Sequence, residues 1–180
     1  MLLVDEIPSP LGRIAIAARA GRLCALEFGA AGVARQLTAR YPGMPRIPVQ
    51  DPFGLSEKIR AYLAGDLTAL DRIQVETGGT RFQQKVWRAL RRIPAGGTMT
   101  YGALARSLGL GAAARAIGAA NGRNPISLVV PCHRLIGGDG ELTGYGGGLW
   151  RKRWLLSHEG ARPGPASARP AAGRSRGRIR

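Results

Sequence analysis

The amino-acid sequence predicts an α/β protein in which a strand-rich first part precedes a mostly helical second part. Two short apolar runs near the N-terminus, separated by a glycine, are typical of a β-hairpin. From residue 80 onwards the apolar side chains recur at helical spacing. Residues 1–78 hold nine basic and eight acidic side chains, whereas residues 79–160 hold twelve and three. We therefore expect a polyanionic partner to bind the second part.

Residues 1–78 predict a small α/β domain. Segments 14–17 and 23–28 form the predicted hairpin, and the spacing of apolar residues over 55–63 predicts a helix. Cys24 lies in the second strand, where we expect it to pack as a small apolar side chain. We expect this domain to brace the second one.

The second predicted domain, residues 79–160, begins with a capped helix. Thr80 can accept a hydrogen bond from the first turn of a helix that runs to about residue 92. The side chains at i, i+4 and i+8 along it are apolar and predict a core-facing stripe: Phe82, Val86 and Leu90.

A helix-turn-helix pattern follows this helix. Thr100 can cap a short helix, glycines at 109 and 111 form a turn, and a second helix is predicted over 112–121. This second helix carries small side chains, so that Arg115 is the large polar residue on its early turns. A nearly bare helix can approach another surface closely. Close packing against a neighbouring helix of the same protein is the alternative, because ordinary helical hairpins have the same pattern.

The segment 124–134, with the sequence NPISLVVPCHR, carries the strongest chemical signal. Its apolar run at 126–130 predicts a strand buried on both faces, which Pro131 would end. Cys132 and His133 follow at the predicted junction of strand and turn. A cysteine needs an imidazole or another source of positive potential to favour its thiolate, so this pair predicts a nucleophile and a base. Neighbours on a strand point apart, and a bridging water or a turn would have to connect them.

This segment resembles the active-site signature of the methylated-DNA–protein-cysteine methyltransferases, which are the O6-alkylguanine-DNA alkyltransferases. The resemblance continues in further blocks that stand in the family's order, at 80–87, 98–105, 115–121, 143–149 and 154–160. It implies a small ribonuclease-H-like N-terminal domain at 1–78. It also implies a mostly helical winged-helix domain at 79–160, which contains the helix-turn-helix.

The resemblance implies a DNA repair reaction that each molecule performs once. The alkyl group of O6-methylguanine, and less readily of O4-methylthymine, would pass irreversibly to Cys132 without turnover. The implied catalytic residues are Cys132, His133, Glu159, Tyr101 and Asn124. They would include a relay from Cys132 through water to His133 and Glu159, in which Glu159 orients the imidazole. Tyr101 would help to protonate the leaving guanine, and Asn124 would form the hinge before the active-site strand.

The resemblance also implies how alkylated double-stranded DNA is bound. The second helix of the helix-turn-helix would enter the minor groove, and Arg115 would fill the gap left by a flipped guanine. The implied DNA-binding residues are Arg115, Ala116, Ala114, Gly118 and Tyr101. The implied base and alkyl pocket is formed by Pro131, Leu135, Tyr145, Gly146 and Gly147. Gly146 stands where some family members have a hydroxyl residue.

We expect neither a cofactor nor a soluble methyl donor. Two cysteines and two histidines make a four-ligand zinc site a poor prospect, so no metal is expected either. The sequence has no apolar run long enough for a membrane span and no signal-peptide pattern, which predicts a cytoplasmic protein. We also expect the protein to be a monomer. Residues 161–180, with six arginines and no acidic residue, predict a disordered tail that strengthens contact with phosphates.

Two other functional classes remain open at this stage. A cysteine hydrolase with a Cys-His-Glu relay would turn over and would need no basic recognition helix. A non-catalytic winged-helix DNA-binding protein would only pack Cys132 in its core.

Overall fold

The structure is a computed structural model that describes residues 1–161. The predicted disordered tail therefore lies outside the described residues, apart from Ala161. The elements of the first part are β1 (Leu2–Ile7), β2 (Ile14–Arg19), β3 (Arg22–Phe28), α1 (Ala30–Arg40), β4 (Arg46–Pro48) and α2 (Leu55–Leu63). The elements of the second part are α3 (Arg81–Leu90), β5 (Met99–Thr100), α4 (Tyr101–Ser107), α5 (Ala114–Gly122), β6 (Leu135–Ile136) and α6 (Leu149–His158).

The first part is a four-stranded sheet in the order β3-β2-β1-β4. The predicted hairpin is present as β2 and β3, which pair antiparallel, while β4 joins the edge of β1 in parallel. Ala20 and Gly21 make the hairpin turn with positive φ angles. The predicted helix over 55–63 is α2.

The two faces of this sheet carry side chains of different size and bury them against different partners. Along β2 the alanines at 15 and 17 pack under α1, whereas Ile14 and Ile16 point to the opposite face. There they share one hydrophobic core with Val86 and Leu90 of α3. The sheet is therefore packed against the second part of the chain through a common core.

Two helices of the second part, α3 and α4, begin at the predicted caps, whereas the helix predicted over 112–121 begins two residues later, as α5. Thr80 accepts a hydrogen bond from the Gln83 backbone amide, and the Gln83 side chain accepts one from the Thr80 amide, which completes a capping box. Thr100 likewise accepts a bond from the Ala103 amide at the start of α4. The indole Nε1 of Trp87 in α3 donates to the carbonyl of Ala120 in α5 over 2.9 Å, which fixes the two helices together.

The predicted strand at 126–130 is wrong. Only Ile126 forms a bridge to β3, and the chain then turns, with Leu128 at a φ of 69° and the Val130 amide bonded to the Ile126 carbonyl. The residues are buried as expected, with Ile126, Leu128 and Val130 at 0–1% exposure. An apolar run indicates burial, and burial alone does not distinguish a strand from a compact internal turn.

Candidate active site

Cys132 lies in a cavity of about 410 Å³ to which both parts of the chain contribute. Glu27 of β3 comes from the first part. The other lining residues belong to the second part: Tyr101, Gly118, Asn121, Gly122, Asn124, Ser127, Cys132, Thr143, Gly144, Tyr145, Gly146 and Gly147. The cavity thus collects most of the residues that the sequence predicted for catalysis and for the base pocket.

The turn that carries Cys132 is held by the predicted hinge residue Asn124. Its Nδ2 donates to the carbonyl of Val130 over 2.8 Å, and its Oδ1 accepts from the amide of Ile126 over 3.0 Å. Both bonds are buried, so they close the internal turn that replaces the predicted strand. A short 3₁₀ turn, Cys132–Arg134, follows directly. Burial raises the pKa of the Cys132 thiol, which favours its protonated form.

His133 is bonded to Glu159 in the interior of the protein. The His133 Nε2 lies 3.0 Å from Oε1 of Glu159, and both side chains are fully buried. Burial lowers the pKa of His133, and the hydrogen bond to Glu159 only partly opposes this effect. The imidazole is therefore neutral near neutral pH. Its Nδ1 has no partner among the described residues and is left as the acceptor once Nε2 donates to the carboxylate.

Glu159 lies at the C-terminal end of α6 and is surrounded by donors. Arg134 reaches both of its oxygens, with Nη2 at 2.7 Å from Oε1 and Nε at 3.0 Å from Oε2. The Tyr62 hydroxyl donates to Oε1 over 2.6 Å. Burial alone would raise the pKa of Glu159, but the hydrogen bonds from His133 and Arg134 outweigh it and lower the pKa well below its ordinary value. The carboxylate is therefore ionised.

Besides several uncharged residues of the cavity lining, four ionisable residues of this region were not predicted from the sequence as site residues. Tyr62 and Arg134 bind Glu159, and Glu27 lines the cavity, where burial raises the pKa of its carboxyl group. Lys152 is fully buried in α6, where its Nζ donates to the carbonyl of Thr143 over 2.8 Å. Burial lowers the pKa of Lys152 to about 8. Only Arg134, next to the Cys-His pair, had a local signal that could have identified it.

The predicted DNA-binding residues lie together on a surface beside the cavity. Arg115 and Ala116 are exposed on the first turn of α5, and Ala114 and Gly118 are partly exposed. A depression at this surface is lined by Arg115, Ala114, Tyr101 and Gly118, with Arg106 at its side. Tyr101 and Gly118 also line the Cys132 cavity. The Arg115 surface and the cavity are therefore adjacent.

The predicted pocket residues divide into two groups. Tyr145, Gly146 and Gly147 line the cavity. Pro131 instead faces a separate groove, and Leu135 is fully buried in β6. Pro131 precedes and Leu135 follows the 3₁₀ turn Cys132–Arg134, in which successive side chains point in different directions, so Cys132 alone of this stretch faces the cavity. Within residues 1–161, neither Pro131 nor Leu135 contributes to the cavity lining.

Comparison with known proteins identifies the family. Residues 81–161 match the model described as the DNA-binding domain of 6-O-methylguanine DNA methyltransferase, and residues 4–77 match that family's ribonuclease-like domain. A methylated-DNA–protein-cysteine methyltransferase from Salmonella typhimurium is 49% identical over 164 residues, which cover 88% of this chain and 96% of that protein. The chain belongs to the methylated-DNA–protein-cysteine methyltransferase family.

Solved structures of this family agree with the fold. The Mycobacterium tuberculosis OGT protein in complex with DNA has a TM-score of 0.76 at 40% identity, covering 91% of this chain and 96% of that one. The O6-methylguanine-DNA methyltransferase of Pyrococcus kodakaraensis has a TM-score of 0.68 at 29% identity, covering 89% and 100%. The family resemblance and the α/β fold class predicted from the sequence are thus confirmed. Among residues 1–161, no helix is long and apolar enough to cross a membrane.

Proposed function

We propose that this methyltransferase repairs DNA by moving the methyl group of O6-methylguanine, and less readily that of O4-methylthymine, onto Cys132. One observation carries the proposal: the buried thiol lines a cavity beside the Arg115 surface, and the next residue, His133, is bonded to an ionised glutamate. Family membership and the DNA complex of the Mycobacterium tuberculosis relative support DNA as the substrate.

The His133–Glu159 pair supplies the base for Cys132. Because burial keeps the thiol protonated, the proton has to leave during the reaction. Glu159 holds the imidazole proton at Nε2, so Nδ1 can accept the thiol proton through a bridging water. The ionised carboxylate then stabilises the imidazolium that forms. This arrangement couples formation of the thiolate to the moment of attack.

The thiolate of Cys132 then displaces guanine from the methyl carbon. The Sγ–C bond forms as the C–O6 bond breaks, and the electron pair of the broken bond passes to the guanine ring. Tyr101, which lines the cavity, donates a proton to the departing base and is left as a tyrosinate; His133 then gives up to water the proton that it took from Cys132, and water reprotonates Tyr101. The thioether product has no easy route back to a thiol. Each molecule therefore reacts once.

The Arg115 surface would present the damaged base to the cavity. A thiolate cannot reach an alkyl group on a stacked base, so the nucleotide has to leave the duplex. The small side chains at 114, 116 and 118 allow α5 to approach the minor groove closely. Arg115 projects from its first turn and would occupy the gap in the stack. The adjacent depression and cavity provide the path for the flipped base.

The proposed chemistry also bears on cofactors, oligomeric state and cellular location. Methyl transfer from DNA needs neither a soluble methyl donor nor a cofactor, and one chain supplies the whole proposed site, so we propose a monomer. Cys24 and Cys132 are both free thiols. Free thiols are typical of a reducing compartment, which supports a cytoplasmic location.

Counting transferred methyl groups tests this function. The protein is incubated with excess duplex DNA that carries labelled O6-methylguanine, and label on the protein is followed over time. Labelling that stops at one methyl group per molecule supports the proposal. Label that is released continuously would indicate a turnover enzyme such as a hydrolase. DNA binding without any labelling would indicate a binding protein.

A further inference from the structure

Tyr62 connects the first part of the chain to the proposed relay. It lies near the end of α2 and is fully buried. Its hydroxyl donates to Glu159 Oε1 over 2.6 Å, although the two residues are 97 positions apart. Burial and the neighbouring carboxylate raise the pKa of Tyr62, so the hydroxyl keeps its proton and remains a donor. A side chain of the predicted bracing domain thus contacts the carboxylate that orients His133.

The main chain of Tyr62 is held as well. Its carbonyl lies 2.7 Å from Nε2 of His158, the last residue of α6. The His158 ring stacks on Trp154 at 4.8 Å between centroids and meets the Tyr62 ring edge-on at 5.3 Å. Tyr62 is therefore attached to the end of α6 through both backbone and hydroxyl. This double attachment leaves the hydroxyl little freedom to move away from Glu159.

Glu159 Oε1 is shared among three donors. Besides the bond from Tyr62, it accepts hydrogen bonds from Nε2 of His133 over 3.0 Å and from Nη2 of Arg134 over 2.7 Å. Each donor stabilises the negative charge on this oxygen and so lowers its basicity, which weakens its attraction for the other protons. The Tyr62 hydroxyl consequently does two things. It fixes the position of Oε1, and it limits how strongly that oxygen attracts the proton of His133.

We propose that Tyr62 is a positioning residue of the methyl-transfer reaction, which holds Glu159 Oε1 in line with His133 and keeps the imidazole a neutral base. The inference rests on the proposed function, because it assigns a role within that reaction. It makes the α/β part of the chain a direct contributor to thiol activation, in addition to its packing role.

The Tyr62→Phe variant tests this role because it removes only the hydroxyl. We expect the rate of methyl transfer at saturating DNA to fall about tenfold, as for loss of one hydrogen bond to a charged group. The acidic limb of the pH–rate profile should move to higher pH, because the less shared carboxylate favours protonated His133. The matched control is Tyr41→Phe, which removes a Tyr-to-Glu bond of 2.7 Å to Glu76, away from the cavity. This control should change neither rate nor profile.

A second variant strengthens the hydrogen bond that Tyr62→Phe removes. Replacing Tyr62 with 3-fluorotyrosine by stop-codon suppression makes the phenol a stronger donor, so the acidic limb should move to lower pH. An unchanged profile in both variants, with rates equal to that of Tyr41→Phe, would overturn the inference. The titration of His133 in the wild-type protein and in the two Tyr62 variants can be followed by NMR, which does not require methyl transfer. A His133 titration that is the same in all three proteins would refute the role of Tyr62. Absence of methyl transfer by the wild-type protein would instead refute the proposed function.

Discussion

The Nε2 atom of His133 lies 3.0 Å from Oε1 of Glu159, and neither side chain is exposed to solvent. A buried ionised carboxylate is stable only when donors surround it, and here His133, Arg134 and Tyr62 provide them. The pair therefore fixes the proton of the neutral imidazole at Nε2. That assignment leaves Nδ1 free to accept the thiol proton.

Glu159→Gln should impair both folding and transfer. The amide cannot accept from His133, Arg134 and Tyr62 together, and the buried Arg134 charge loses its partner. We expect the free energy of unfolding to fall by about 3–5 kcal/mol, as for a broken buried ion pair. Chemical denaturation measures this loss, and the transfer rate of the remaining folded protein should be much lower.

The control for this change is Glu76→Gln. Glu76 also accepts from a tyrosine and an arginine, but its ion pair with Arg19 is partly exposed. Its substitution should cost about 1 kcal/mol or less and leave transfer unchanged. Equal losses in the two variants would contradict the special environment of Glu159.

Gly147→Ala should close the base pocket. A Cβ at this position would lie 2.7 Å from the Phe28 ring and 2.8 Å from the Tyr145 ring, and neither ring can yield without moving the loop. We expect a loss of stability of about 1–3 kcal/mol from overpacking, together with slower transfer. Gly146→Ala is the matched control for stability, since a Cβ there meets nothing within 4 Å. Thermal unfolding that does not distinguish the two variants would refute this packing of the loop.

Arg115→Ala should distinguish a role in presenting the flipped nucleotide from a role in the methyl-transfer step. The side chain is exposed on α5, outside the set of residues that lines the Cys132 cavity. Its loss should slow transfer from duplex DNA strongly, whereas reaction with the free base O6-benzylguanine should hardly change. Arg22→Ala, at the exposed start of β3, removes the same charge as a control. Equal slowing on duplex and free base would exclude a role for Arg115 in presenting the flipped nucleotide.

Burial of Lys152 should make the free energy of unfolding increase with pH in the alkaline range. Burial lowers its pKa from 10.5 to about 8, so between these pH values the folded state binds fewer protons than the unfolded state. Above pH 10.5 the lysine is neutral in both states, so its burial costs nothing in protonation free energy. As the pH falls from 10.5 to 8 the unfolded state gains the proton first, and the free energy of unfolding decreases. Relative to Lys152→Met, the free energy of unfolding of the wild-type protein should rise by about 3 kcal/mol as the pH increases from 8 to 10.5. A flat difference between the two denaturation series would show that Lys152 keeps its ordinary pKa in the folded protein.

Local signals in the sequence predicted much of the fold. Thr80 with Gln83 forms the capping box at the start of α3, and Thr100 caps α4. The glycine between the two apolar runs predicted the hairpin of β2 and β3. These features depend on residues a few positions apart, whose geometry is set by backbone hydrogen bonding and side-chain periodicity.

The remaining features depend on contacts between distant residues. The segment 126–130 contacts β3 as a bridge only at Ile126 and then turns, and this is invisible in an apolar run. Tyr62 lies on an ordinary amphipathic helix, and nothing local links it to Glu159. Lys152 stands between the half-buried Arg151 and the exposed Arg153 of α6, yet its own side chain is fully buried and reaches the Thr143 carbonyl. Tertiary packing decides which polar side chain is buried, so sequence spacing did not single out either residue.

The most direct test of the central claim is to locate the transferred methyl group. After reaction with duplex DNA containing labelled O6-methylguanine, peptide mass spectrometry of the protein examines Cys132, with the buried Cys24 as an internal control. We expect one methyl group on Cys132 and none on Cys24, with guanine restored in the DNA. A methyl group on any other residue, or repaired DNA with Cys132 unmodified, would contradict it.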